Sequence, residues 1–277
     1  MADPGKRRPV PTPPPGVLND DHRFAAWAAE AAGAVLLELR GSGLAGKELK
    51  DAGDLASHEL LMELLATYAP GDAVLPEEGH RGKVGRHDRH TSRRVWIIDP
   101  VDGTREYSEP PRDDWAVHVA LWQDGELAAG AVAQPALGRT FHTGAPGAAR
   151  GPASSRPLIA VSRTRPPAFV TELAAHLDAE LVPMGSAGVK VLSVVRGITD
   201  AYVHAGGQYE WDSAAPVAVA RSAGLFTSRL DGTPLTYNQP DVLLPDLVVC
   251  RPELAPAILA FLAENPGVPH DRKETVS

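Results

Sequence analysis

Apolar residues along this chain fall into short blocks, separated by turns rich in Gly, Pro and Asp. Helical spacing predicts helices over 21–40 and 52–68, the second opening with Asp54 as its cap. Apolar runs at 73–75 and 95–98 predict strands, and 115–122 and 126–133 predict two more, joined by the hairpin pair Asp124-Gly125. The Gly- and Pro-rich stretch 143–157 reads as a loop, because Leu158-Ile159-Ala160-Val161 begins a strand directly after it. The blocks 169–177, 181–184, 188–196, 201–204 and 213–223 then alternate, the pattern of a sheet layered with helices. No internal repeat is visible.

One block ends on chemistry. Trp96-Ile97-Ile98-Asp99-Pro100-Val101-Asp102-Gly103-Thr104 runs from an apolar strand into two carboxylates, a glycine and a threonine. A strand stopping on Asp99 and turning through Gly103 gathers both carboxylates and the Val101 carbonyl around one point, with Pro100 stiffening the turn. Mg²⁺ takes oxygen ligands at about 2.0–2.1 Å and binds through a few carboxylates plus substrate phosphate. Gly103 lets backbone approach a ligand closely. Residues 104–107 read as one turn of helix ended by Pro110-Pro111, with N–H groups free for a phosphate. Alone, the motif also reads as a polar turn after a buried strand. Two more clusters alter the balance. Gly206-Gly207-Gln208-Tyr209-Glu210-Trp211-Asp212 leaves a glycine turn for an apolar helix, with Asp212 at the cap position. Leu75-Pro76-Glu77-Glu78-Gly79 sets carboxylates just before the Trp96 strand, where a solvated acidic turn is the simpler explanation.

These three pieces, in this order, resemble the inositol monophosphatase superfamily of magnesium-dependent, lithium-sensitive phosphatases, from about Asp20 to Leu262. Within it, the chain is most similar to 3'(2'),5'-bisphosphate nucleotidases of the sulfur-assimilation type, in their actinobacterial form. That narrower likeness rests on 99–108, Asp113-Asp114-Trp115-Ala116-Val117-His118, Met184-Gly185-Ser186-Ala187-Gly188-Val189-Lys190 and 204–216. The resemblance implies an α/β fold, a five-layered α-β-α-β-α sandwich with a metal site between its halves. By the same resemblance, Glu77, Asp99, the Val101 carbonyl and Asp102 hold a first Mg²⁺. Asp99, Asp102 and Asp212 share a second, and Glu77 with a water holds a third, weaker one. Two ions about 3.5–4 Å apart stabilise both oxygens of an in-line displacement. The resemblance makes the attacker a metal-activated water oriented by Thr104 and Asp54. Many relatives carry a Ser-Pro-Val-Thr-like stretch before this aspartate. Lys47-Glu48-Leu49-Lys50-Asp51-Ala52-Gly53 stands there instead, implying a shorter flexible loop over the metals.

Composition narrows the setting. At 277 residues and 43% hydrophobic, the chain can bury a large core as two intimate halves. The expected division is a Pro-rich disordered tail over 1–18, an N-terminal half over 19–150, a C-terminal half over 151–264 and a loose tail over 265–277. One cysteine, Cys250, excludes an intrachain disulfide and suits the cytoplasm. No stretch is long and apolar enough for a transmembrane helix, so no membrane partner is expected. A net charge of -8 argues against a nucleic-acid surface. The basic stretch Arg81 to Arg94 reads as a solvated mobile loop, or as a lid whose Lys83 or Arg86 grips a second phosphate.

Substrate choice needs groups that recognise more than one phosphate. Around Asp102, Gly103, Thr104 and Asp212 the candidates are Arg105, Ser162, Arg163, Ser186 and Lys190. Lys190 is otherwise a surface lysine on an apolar helix. Ser162 and Arg163 follow a strand end, a common place for site residues and for ordinary capping turns. The expected partner is a small phosphorylated substrate, with a homodimer left open. The expected reaction removes the 3'-phosphate of 3'-phosphoadenosine 5'-phosphate, or of its 5'-phosphosulfate analogue. An inositol-1-phosphate or fructose-1,6-bisphosphate phosphatase is the alternative. A non-enzymatic role beside the transcription machinery fits poorly with a complete carboxylate set.

Overall fold

The computed structural model describes residues 9–77, 87–147 and 156–265. Phe24, Ala25, Ala28, Ala29, Ala32 and Leu36 recur at helical spacing and form the buried stripe of α1 (Asp21–Arg40). Asp20 starts this helix, its side chain accepting from the N–H groups of His22 and Arg23. α2 (Gly46–Tyr68) packs beside it through Leu49, Leu61, Leu64 and Leu65. β1 (Ala73–Pro76), β2 (Arg94–Asp102), β3 (Ala116–Gln123), β4 (Glu126–Gln134) and β5 (Arg139–His142) follow, with the single helical turn α3 (Thr104–Tyr107) after β2. The five strands form one sheet in that order, and α1 and α2 cover one face of it. β1 lies parallel to β2, and the other neighbours are antiparallel. Asp124 and Gly125 both hold positive φ, 51° and 105°, the two-residue turn that this hairpin requires.

The second half contributes β6 (Leu158–Ser162), α4 (Ala168–His176), β7 (Glu180–Met184), α5 (Ala187–Val195), β8 (Ala201–Ala205), α6 (Glu210–Ser222), β9 (Phe226–Ser228), β10 (Asp246–Cys250) and α7 (Ala255–Glu264). Its sheet runs β7-β6-β8-β10-β9. α5 and α6 are buried between the two sheets, and α4 with α7 covers the outer face of the second. This is the five-layered α-β-α-β-α arrangement. Gly130 allows the close approach of α6 to β4. A Cβ there would stand 2.7 Å from the Ala218 Cβ and 3.1 Å from the Ala215 carbonyl oxygen. No helix of the described residues is long and apolar enough to cross a membrane.

Several local expectations are corrected. α2 begins at Gly46 rather than at 52, because buried Leu49 extends its stripe and Lys47 pairs with Asp51 one turn on. The segment expected as a loop over the metals is therefore helix, and Asp54 lies inside it, not at its cap. β2 does not stop on Asp99. It continues to Asp102 through an irregularity in its pairing with β3. α6 begins at Glu210, three residues before the predicted start. The described part of the expected disordered tail, from residue 9 to 18, is packed: Val10 packs on the core, Tyr68 donates to the Pro11 carbonyl, and Val17 is buried. The described end of the basic stretch is not loose either. Arg89 donates to Asn238, Arg93 pairs with Asp124, and Arg94 pairs with Asp21 and Asp72. Glu78, Lys83, Arg86 and the residues of both tails at 1–8 and 266–277 lie outside the described residues, as do 148–155 between the halves.

The Gly130 contact yields a prediction. Gly130→Val should destabilise the protein by about 1–3 kcal/mol, the usual cost of overpacking, read from its denaturant midpoint. An unchanged midpoint would contradict the close approach of α6.

Candidate active site

Asp99, Asp102 and Asp212 converge at the seam between the halves, each offering an oxygen within 4.8 Å of the others. The bulged end of β2 supplies the first two. Asp99 is held by its own turn, its Oδ1 accepting from the Val101 N–H at 3.0 Å. The Pro100 carbonyl accepts from Ser57 of α2 at 2.8 Å, which fixes the turn against the helical layer. Asp212 arrives on α6, where it is not the cap. It is the third residue of the helix, and its side chain accepts from the Tyr209 N–H at 2.7 Å, half of a capping box. Glu77 follows β1, whose parallel pairing with β2 is prolonged by a bond from the Glu77 N–H to the Ile98 carbonyl. Its carboxyl hydrogen-bonds the Asp99 side chain.

Asp102 has a different environment. Its carboxylate sits on the N-terminus of α5, accepting from the Ala187 N–H at 3.1 Å, the Gly188 N–H at 2.6 Å and the Ser186 hydroxyl. His118, fully buried on β3, brings Nε2 to 3.1 Å from Asp102, while its Nδ1 donates to the Trp211 carbonyl at 3.1 Å. Gly188 leaves room for that ring, since a Cβ there would stand 2.1 Å from His118 Nε2. Ser186, which caps α5, holds φ at +44°, a region unfavourable for a residue with a side chain. Gly103 answers it across the seam: a Cβ there would lie 3.1 Å from the Ser186 Cβ.

The charges respond to these surroundings. Burial, then the negative charges of Glu77, Asp102 and Asp212, hold the Asp99 carboxyl well above the usual carboxylate range. Burial and Asp102 push Asp212 up to about 7. Burial alone would raise Asp102 as well, but His118, Ser186 and the Gly188 N–H outweigh it and bring it to about 2. His118 is raised against its own burial by Asp102. The crowded carboxyl oxygens of Glu77, Asp99 and Asp212, acceptors only once ionised, fit a hard divalent cation that displaces their protons.

The other expected residues divide. Lys190 is not a surface lysine. It is 6% exposed, its ammonium donates to the Gly185 and Ser186 carbonyls at 3.0 and 2.6 Å, and it lies 5.3 Å from the Tyr202 ring centroid. Arg163 crosses the seam to Glu106 and Glu109 at 2.7 and 2.8 Å. Ser162 accepts from the Arg165 N–H, the capping turn of the simpler reading. Arg105 is exposed and paired with Glu109. Thr104 opens α3, beside Gly103. Asp54 stands on α2 one turn before Ser57, close enough to Tyr107 for its charge to contribute to the rise of that hydroxyl, which burial pushes up to about 12. Three residues that carried the resemblance had no assigned role at the site: His118, Glu106, and Asp114, which accepts from the Gly185 N–H at 2.6 Å. A lone histidine in the apolar run of β3 was the available signal for the first, and its pairing opposite Asp99 needed the register.

A profile of the inositol monophosphatase family matches residues 22–265. A Mycobacterium leprae protein named 3'-phosphoadenosine 5'-phosphate phosphatase is 48% identical over 258 residues, covering 88% of this chain and 94% of that one. The Escherichia coli K12 protein named 3'(2'),5'-bisphosphate nucleotidase CysQ is 32% identical over 200 residues, covering 68% and 78%. The crystal structure of inositol monophosphatase-II from Staphylococcus aureus superposes with a TM-score of 0.71 at 23% identity, over 85% and 92% of the chains.

The raised carboxyls fix a sign. Between an unfolded value near 3.8 and the folded value near 7, Asp212 binds more protons folded than unfolded, so stability falls as pH rises through that window. Asp102 acts oppositely, its contribution being lost only as pH falls from 3.8 towards about 2. With chelator present, unfolding free energy should therefore drop from pH 5 to pH 8, and Asp212→Asn should flatten the drop. Added Mg²⁺ should stabilise more at pH 8 than at pH 5. Equal stabilisation at both would contradict the assignment.

Proposed function

The chain belongs to the inositol monophosphatase family, and on that premise we propose that it is a Mg²⁺-dependent phosphatase of a nucleoside bisphosphate. Its substrate is 3'-phosphoadenosine 5'-phosphate, cleaved to AMP and phosphate, with the 5'-phosphosulfate analogue as a second substrate. The observation that carries the hydrolytic reading is the cluster of Asp99, Asp102 and Asp212 drawn from both halves. The substrate follows from the M. leprae relative, similar over nearly its whole length.

In this reading Glu77, Asp99, the Val101 carbonyl, Asp102 and Asp212 hold two Mg²⁺ ions, with a third, weaker one at Glu77. Bound there, magnesium would supply positive charge for the phosphoryl oxygens and lower the pKa of a water. Asp54 and Thr104 orient the water that attacks phosphorus. Gly103 keeps the backbone open beside the phosphate. Ser186 faces the substrate from the cap of α5, and Lys190 serves it by fixing the Gly185–Ser186 turn and adding positive charge near the phosphates. Arg163, Ser162 and Arg105 form the outer rim, where Arg163 exchanges a carboxylate partner for the second phosphate. In-line phosphoryl transfer requires positioning and charge neutralisation rather than a covalent nucleophile, and these residues meet that requirement.

Phosphate release measured across 3'-phosphoadenosine 5'-phosphate, inositol 1-phosphate and fructose 1,6-bisphosphate tests the proposal. The nucleotide should give the highest kcat/KM, excess chelator should abolish turnover, and Li⁺ should inhibit. Asp99→Asn and Asp212→Asn should each lose orders of magnitude in kcat while remaining folded. Preference for inositol 1-phosphate would overturn the substrate, and turnover in excess chelator would overturn the metal.

A further inference from the structure

Asp212 reaches the carboxylate cluster from the first turn of α6, and that turn is held from outside by the segment between β9 and β10. The Leu244 N–H donates to the Gln208 carbonyl and the Glu210 N–H to the Val242 carbonyl, both at 2.9 Å. Glu210, 1% exposed, closes the contact in the other direction. Its Oε2 accepts from the Asn238 N–H at 2.6 Å and its Oε1 from the Gln239 N–H at 2.7 Å. Asn238 holds φ at +60°, the left-handed backbone that lets two successive N–H groups face one carboxylate.

The same turn is gripped from the other half of the molecule. Arg89, between β1 and β2, donates from Nη1 to Asn238 Oδ1 and from Nη2 to the Gln239 carbonyl, each at 2.9 Å. Asn238 answers with its side-chain amide, which donates to the Arg89 carbonyl at 3.2 Å. One planar guanidinium thus meets two acceptors of one turn, a fork that a lysine ammonium does not reproduce. The turn stands between Arg89 of the N-terminal half and Glu210 of the C-terminal half, and Glu210 lies two residues before Asp212. Arg163 makes the converse tie, from the C-terminal half to Glu106 and Glu109.

This arrangement opposes a definite force. Without a cation, Asp99, Asp102 and Asp212 crowd like charges within 4.8 Å, and their repulsion drives the start of α6 away from the end of β2. We propose that Arg89 and Asn238 are positioning residues of the metal centre, a strap from the opposite half that keeps Asp212 against Asp99 and Asp102 before metal arrives. A cluster already held together takes its cost in folding rather than in binding, so the strap raises metal affinity. The inference rests on the metal centre proposed above and not on which phosphate ester is cleaved.

Calorimetric titration of the full-length protein with Mn²⁺ alone tests it. Arg89→Ala should weaken Mn²⁺ binding by about tenfold, the lower end of what the outer partners of metal ligands carry. Asn238→Gly should weaken it in the same direction: glycine keeps the left-handed backbone and both N–H groups on Glu210, and only the side chain that Arg89 grips is lost. The double variant should bind no more weakly than Arg89→Ala, because both changes cut one strap. Arg94→Ala, which breaks pairs with Asp21 and Asp72, should lower the melting temperature and leave Mn²⁺ affinity unchanged. Unchanged affinity in Arg89→Ala and Asn238→Gly would overturn the strap. An equal loss in Arg94→Ala would overturn it as well, by tracing the effect to general loosening. Unmutated protein that binds no Mn²⁺ would overturn the metal centre itself, and the strap with it.

Discussion

Asp99, Asp102 and Asp212 bring like charges within 4.8 Å of one another where little water reaches, and this repulsion is the constraint on which the rest of the site depends. Each carboxylate meets it differently. Asp99, beside Glu77, is driven towards its protonated form, and Asp212 follows in part. Asp102 keeps its charge because α5 directs two backbone N–H groups and a hydroxyl at it, and because His118 stands against it. A divalent cation resolves the repulsion for all of them at once, which is why the same crowding that costs stability in the free protein becomes affinity for metal.

The layering is what makes this crowding possible. β2 ends where the N-termini of α5 and α6 meet, because both helices lie between the sheets and start at the same edge of the sandwich. Gly103, Gly185 and Gly188 each leave a gap that a neighbour fills: Ser186, Glu106 and His118 respectively. The seam is then tied by Arg163 reaching Glu106 and Glu109, and by Asp114 accepting from Gly185. Small residues and ion pairs thus hold the halves close enough for one set of carboxylates to come from both.

How much of this was legible in the sequence depends on the range of the interaction. Asp99 and Asp102 are a local motif at a strand end, so their convergence was readable. Asp212 lies far along the chain, and only the resemblance connected it to them. The five layers followed from alternation and resemblance together, whereas β5 and β9, at four and three residues, are too short to show a period. The competing reading of Lys190 as a surface lysine fails for a definite reason. A lysine on an apolar helix usually reaches solvent, but every residue of α5 is buried between two sheets, so the ammonium turned back to its own helix end. The start of α2 was missed because Lys47 to Asp51 is polar apart from Leu49, so the added turn rests on one buried leucine and one i,i+4 pair, too little to show a period in the sequence. His118 could not be assigned, since its neighbours are apolar and only the β2–β3 register places it opposite Asp99.

The central claim is that Asp99, Asp102 and Asp212 form one metal centre spanning the two halves. Anomalous diffraction from crystals grown with Mn²⁺ in place of Mg²⁺ tests it most directly. The account predicts a manganese peak bounded by side-chain oxygens of Asp99, Asp102 and Asp212, with Asp102 turned from the α5 N-terminus towards the ion. Manganese bound only at surface carboxylates, with the Asp102 cap on α5 intact at saturating metal, would contradict it.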